Sequence, residues 1–183
     1  MIKKNVLHAL RLFITNVKVM ARADVLIEKG VTIKYSESLV FGEHVTLQSG
    51  VYLYGSRSGH QVKFGNRVVL APGVTVLGEG GAEFGDFTHL GPGVICTTQY
   101  GDSTGKMCSS SPTIKTAAIR LGRGCWIGSG AILMPGATLG NECIVAPNSV
   151  VFGVWPDGTK LSGSPARRDL RANAVATPAE QAS

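Results

Sequence analysis

The sequence predicts an all-β chain wound as a parallel β-helix, on three observations. Large aliphatic residues recur at every sixth position from Leu121 through Ile127, Leu133, Leu139 and Val145 to Val151. Four residues after the members of this series stand Cys125, Ala131, Ala137, Cys143 and Ser149, all small. Gly or Pro falls inside nearly every unit. A helix advances about 100° per residue, so residues six apart would scatter around it. One continuous strand would keep them on one face, but Gly and Pro interrupt ladders and mark bends. What remains is a short strand and a turn per hexad, each unit sending one large and one small side chain into a narrow interior. This hexapeptide period is a signature of solenoids.

The elements follow in chain order. Residues 1–22, in the run MIKKNVLHALRLFITNVKVMARA, begin with Lys3 and Lys4 and end near an Ala-Arg-Ala triplet, but Arg11, Asn16 and Lys18 break the apolar centre a secretory signal needs. Val6, Leu10, Phe13, Ile14 and Val17 fall at helical spacing. They predict a short amphipathic helix covering the end of the solenoid, with a helix resting on an anionic membrane surface as the alternative. Residues 23–168 form the β-helix, of about five to six coils. Its register starts at Ile27 and Ile33 and continues through the triplets Phe41, Leu47, Leu53; Phe64, Leu70, Val76; and Phe84, Leu90, Cys96. Between triplets the spacing jumps to eight, eleven, eight and finally twenty-five residues, so three hexads make one coil and the extra residues leave from one corner. Loops 54–63, 77–83 and the long loop 97–120 therefore stack along one edge, with coils about 4.8 Å apart. Insertions on one face of a solenoid commonly carry its binding surface. Residues 169–183 lack periodicity and are predicted to be a disordered tail.

Composition fits this reading. The 183 residues suit one domain, and 24 Gly with 16% charged residues favour a turn-rich stacked β architecture. Cys96, Cys125 and Cys143 occupy inward positions and read as core residues; Cys108 lies in the long loop without a metal-ligand spacing. Unpaired thiols suit a reducing, cytoplasmic compartment. The net charge of +6 gathers in the first segment and at Arg167, Arg168 and Arg171. The basic residues do not interleave with aromatics, so a polyanionic small ligand is expected rather than nucleic acid. No stretch approaches the ~20 apolar residues of a transmembrane helix.

The pieces CWIGSGAILMPGATLG and KLSGSPAR resemble the hexapeptide-repeat acyltransferases, which have a left-handed β-helix, and especially the sugar and polysaccharide O-acetyltransferases among them. The resemblance spans about Val25 to Arg168. It implies a homotrimer with acetyl-CoA, the acyl donor, in a cleft between neighbours, and acetyl transfer to a saccharide hydroxyl in bacterial surface polysaccharide biosynthesis. N-acylation of an amino sugar or nucleotide sugar is the alternative, and an inactive β-helix that binds a glycan or partner enzyme is a third. The resemblance places Trp126, Gly128, Ser129, Gly130 and Ala131 along the pantetheine arm, Ala146 beside it, and the fixed guanidinium fork of Arg167 at the nucleotide phosphates. Phe152 and Gly153 stand where relatives often have Thr-Lys. The expected setting is cytoplasmic, with peripheral contact at the inner membrane face as the alternative use of residues 1–22.

The general base is less direct. Many relatives place a His after the strand corresponding to Leu90 to Cys96, where this chain reads LGPGVICTTQYGDSTGK, with Tyr100 and Gly101 at that place. Of His8, His44, His60 and His89, two are candidates. His89, in FGDFTHLGPG, resembles a cleft His of related sugar N-acetyltransferases; His60 sits in an insertion loop on the same edge as the long loop. Glu79, Glu83 and Asp102 are candidates for orienting the acceptor or taking its proton. No three His share a zinc-site spacing, so no metal is expected.

Overall fold

The computed structural model describes residues 24–101 and 114–169. The expected helix over 1–22, Asp102, Cys108 and the tail beyond residue 169 lie outside them. The described chain is a left-handed parallel β-helix of six complete coils. Each coil contributes one strand to each of three faces. The first face stacks Val25–Ile27, Val45–Leu47, Val69–Leu70, His89–Leu90, Trp126–Ile127, Ile144–Val145 and Lys160–Ser162. The second runs from Thr32–Lys34 to Val150–Val151, and the third from Leu39–Phe41 to Val154–Trp155. A seventh coil begins at Lys160–Ser162 and is closed by Arg167–Arg168, which turns back antiparallel.

The six-residue register survives in the packing. Leu47, Leu70, Leu90, Ile127, Leu133 and Val151 are buried, as are the small partners Cys125, Ala131, Ala137, Cys143 and Ser149. Large and small alternate because three strands converge on an interior too narrow for large side chains at both inward positions of each unit. On the third face Phe41, Phe64 and Phe84 stack with centroids 5.0 Å apart and rings within 9° of parallel. Burial pushes the Cys96 thiol up to about 12 and that of Cys125 to about 11, so both stay protonated core residues.

The corner between the third and first faces is fastened by side chains of the following coil. Asn66 Oδ1 accepts from the Glu43 amide at 2.8 Å, Asp86 Oδ1 from Asn66 at 2.7 Å, and Asn141 Oδ1 from Arg123 at 2.9 Å. Every insertion leaves instead from the corner between the second and third faces. They are the 3-10 turn Ser36–Ser38, loops 55–61 and 78–81, and the arm that starts with the antiparallel pair Gln99–Gly101 and Ile114–Thr116. The expected stacking of loops along one edge is therefore realised.

Leu133→Ala empties a fully buried position and should destabilise by about 2–5 kcal/mol, read from the denaturant midpoint. An unchanged midpoint would mean that Leu133 does not face the core.

Candidate functional site

The insertion corner is organised around Glu79. Its side chain is 10% exposed, and its carboxylate accepts from Ser58 Oγ at 2.7 Å, from the Arg57 amide at 3.3 Å, and pairs with Arg57 Nε at 3.5 Å. Its backbone carbonyl accepts from Ser56 Oγ at 3.0 Å and lies 3.1 Å from His60 Nδ1. Ser56 Oγ in turn accepts from the amides of Ser58 and His60. Burial alone would raise the Glu79 carboxyl, but the bonds from Ser58 and Arg57 outweigh it and hold the group below the usual carboxylate range. Glu79 is thus an anchor for loop 55–61 rather than a solvated acid.

That anchor sets His60. A carbonyl can only accept, so the bond to Glu79 assigns the proton to Nδ1 and leaves Nε2 with its lone pair. His60 borders an open cleft of ≈ 420 Å³ together with Gly59, Gln61, Lys63, Gly80, Gly81, Glu83 and Arg120. An imidazole held by a carbonyl on one nitrogen, with the other free beside a cleft, is arranged to take a proton from a hydroxyl there. The Gly80 amide does not face a ligand: it donates to Thr98 Oγ1 at 2.8 Å.

His89 lies elsewhere. It is an outward residue of the first face, its ring stacked on Trp126 at 4.4 Å with 9° between planes. Burial lowers its imidazole below the ordinary value of 6.5. The structure therefore does not bring His60 and His89 together: one borders the insertion corner and the other belongs to a coil face. Tyr100 is exposed on the arm and paired in register with Lys115.

The residues expected along the acyl donor do share one place, the corner between the first and second faces. Gly128, Ser129 and Gly130 turn that corner in the fifth coil, Ala146 in the sixth, and Arg167 lies on the closing strand beyond. Their local roles are more structural than the sequence suggests. The amides of Gly128, Gly130, Ala131 and Ala146 donate to Val145, Pro92, Gly128 and Leu161 carbonyls, so they are used within the solenoid. A Cβ at Gly128 would lie 2.6 Å from Pro147 N, so coil stacking itself requires glycine there. The Ala131 methyl is fully buried in the core. Trp126 and Ser129 are exposed, as is Arg167, whose Nη1 donates to the Ala166 carbonyl at 3.0 Å.

Residues 118–153 match the family model described as bacterial transferase hexapeptide (six repeats). That stretch carries the hexapeptide repeat. Among curated proteins, this chain is 36% identical over 55 residues to WbbJ of Escherichia coli (strain K12), a protein named for lipopolysaccharide biosynthesis O-acetyl transfer; the match covers 30% of this chain and 28% of WbbJ. It is 33% identical over 110 residues to nodulation protein L of Rhizobium meliloti (strain 1021), covering 60% of this chain and 59% of that protein. Both matches thus span less than two thirds of the relative. Among solved structures, a mutant of AntD, an N-acyltransferase from Bacillus cereus in complex with dTDP-4-amino-4,6-dideoxyglucose and coenzyme A, superposes with a TM-score of 0.75. The match covers 87% of each chain at 21% identity, a likeness of fold. Among the described residues no group of His, Cys, Asp and Glu is placed to hold a metal ion.

Two outcomes follow from these contacts. Glu79→Ala leaves the Ser58 hydroxyl and the Arg57 amide without their acceptor and should cost about 1–3 kcal/mol in urea unfolding. His89 has its pKa lowered in the fold, so its contribution is complete above the ordinary 6.5 and is lost as pH falls through the lowered value. His89→Phe, which keeps a ring on Trp126, should lose less stability than wild type between pH 7 and 5. Parallel melting curves for the two would contradict this.

Proposed function

We infer that the protein is an acetyl-CoA-dependent acetyltransferase acting on a saccharide hydroxyl in bacterial surface polysaccharide biosynthesis, and that it works as a cytoplasmic homotrimer. The observation that carries this reading is His60 itself: Nδ1 is bound to the Glu79 carbonyl, and the free Nε2 belongs to a residue bordering a cleft. Nε2 takes the proton of the acceptor hydroxyl as its oxygen attacks the thioester carbonyl. The tetrahedral intermediate then expels the coenzyme A thiolate, which recovers the proton from His60. The similarity to WbbJ supports the reaction class, and the coenzyme A in the AntD complex supports the donor. Trp126, Ser129 and Arg167 are the exposed groups available to the donor, with the Arg167 fork suited to its phosphates.

Placement of the residues supports this assembly. The residues proposed for the donor sit at the corner between the first and second faces and His60 at the corner between the second and third, so one chain alone does not join them, and two copies packed side by side would. Leu26, Trp126 and Ile144, exposed by 61%, 54% and 43%, give the first face an apolar stripe to bury in such packing. Peripheral contact with the inner membrane face through residues 1–22 belongs to the same reading, supported by Lys3, Lys4, Arg11 and Lys18. Among the described residues no helix is long and apolar enough to cross a membrane.

N-acylation of an amino sugar is the second reading, favoured by the AntD likeness and by Tyr100 and Gly101 standing where relatives carry a His. A deprotonated amine needs no protein base. Thiol release from acetyl-CoA with a panel of sugars, amino sugars and nucleotide sugars separates the two. For a hydroxyl acceptor, His60→Ala should cut turnover by about 10² to 10⁴-fold while coenzyme A affinity is retained, and His89→Ala should not. Full turnover of His60→Ala on an amino sugar would establish the second reading. Light scattering should give the mass of three chains, and a monomer would rule out a shared site.

A further inference from the structure

The wall of the cleft carries more charge than a proton transfer requires. Lys63, Glu83 and Arg120 occupy the same outward position of the third face in three successive coils, in register Lys63 with Glu83 and Glu83 with Arg120. All three are exposed and border the cleft beside His60. A ladder that served only stability would pair its opposite charges across the strands. Among the described residues no ion pair joins Glu83 to Lys63 or to Arg120, so neither cation is neutralised by the carboxylate between them. Two cations about 10 Å apart along the axis, two coil steps of about 4.8 Å, have side chains long enough to converge on one anionic group. A Lys ammonium supplies a point charge and an Arg guanidinium a fork, the pair of donors that phosphate oxygens take. Glu83 between them can only accept when ionised, which suits the hydroxyls of a sugar next to the anion.

We propose that this cleft recognises a saccharide acceptor through a phosphate or diphosphate group gripped by Lys63 and Arg120, with Glu83 on the adjoining sugar hydroxyls. The proposal rests on the acetyltransferase reading only for the fate of the bound sugar; the anion site itself stands on the cleft. A diphosphate of this kind is supplied by a nucleoside diphosphate sugar or by a lipid-linked diphosphate sugar, and both present the same chemistry to the two cations.

The test measures binding apart from turnover. Titration calorimetry with pyrophosphate, glucose 1-phosphate, UDP-glucose, a polyprenyl diphosphate-linked glucose and glucose is run on wild type, Lys63→Ala, Arg120→Ala and Glu83→Gln. Each cation removed should weaken the phosphorylated probes by about 10 to 100-fold and leave glucose unchanged, the range expected for losing a charge-assisted bond. Glu83→Gln should bind pyrophosphate more tightly than wild type, a gain that misfolding cannot produce. Thiol release with UDP-glucose and with the lipid-linked sugar then names the source by whichever is acetylated at the lower KM. Probes bound equally by wild type and both cation variants would overturn the proposal, as would glucose bound by wild type as tightly as UDP-glucose. If wild type binds the diphosphates through Lys63 and Arg120 but releases thiol with no acceptor, the transferase reading falls and the anion site remains. If acetyl transfer proceeds but is indifferent to both cations, the reverse holds.

Discussion

The backbone ladder that joins each coil to the next is the constraint on which everything else in this protein depends. Gly91 donates to Ile127, Gly128 to Val145 and Ala146 to Leu161, each at 2.8 Å, so one corner is stitched through four coils by main-chain bonds alone. Chains that approach this closely leave no room for a Cβ, which at Gly85 would lie 2.6 Å from the Gly122 carbonyl carbon. The interior is correspondingly narrow, and only a large and small alternation fills it without voids. The six-residue period is the trace of these two demands, thin corners and a thin core.

The same ladder decides where chemistry can happen. Amides in regular coils are spent on neighbouring coils, so a regular corner offers a ligand exposed side chains and little backbone. Extra length is tolerated at one corner, between the second and third faces, and there the chain builds a second kind of structure. Loop 55–61 is held by hydroxyls, a carbonyl and one buried carboxylate rather than by strand pairing. Glu79 organises it from the next coil and thereby fixes the tautomer of His60. Lys63, Glu83 and Arg120 stand at regular outward positions of the third face beside that loop. The cleft thus takes His60 from an insertion and its charges from the repeat.

The separation of the two corners shapes the functional reading. The residues proposed for the donor and His60 belong to different corners of one chain, and the stacked His89 and Trp126 lie away from the cleft that His60 borders. In the proposed homotrimer, side-by-side association of copies would unite what the single coil keeps apart. Trp126 would then serve two needs that do not conflict, since an exposed ring on an apolar stripe can pack against a neighbour and border a bound pantetheine arm.

By itself the sequence determined the solenoid, its register, its inward residues and the corner from which insertions leave. The first three are written in spacings of six or fewer residues, where the narrow core admits few other choices, and the insertion corner in the longer jumps between triplets. It also determined that the regular Tyr100 and Gly101 place lacks a His. Only the tertiary structure shows the contact that supports His60 as the proposed base, between its Nδ1 and a carbonyl nineteen residues later in another coil. It also shows what holds Glu79 and Gly128 in place: a carboxylate that reads as a candidate for orienting the acceptor is buried under Ser58 and Arg57, and a glycine that reads as a ligand approach is required by Pro147 of the next coil. Period gives the direction of a side chain, but burial and bonding partners come from neighbouring coils, which lie close in space and distant along the chain.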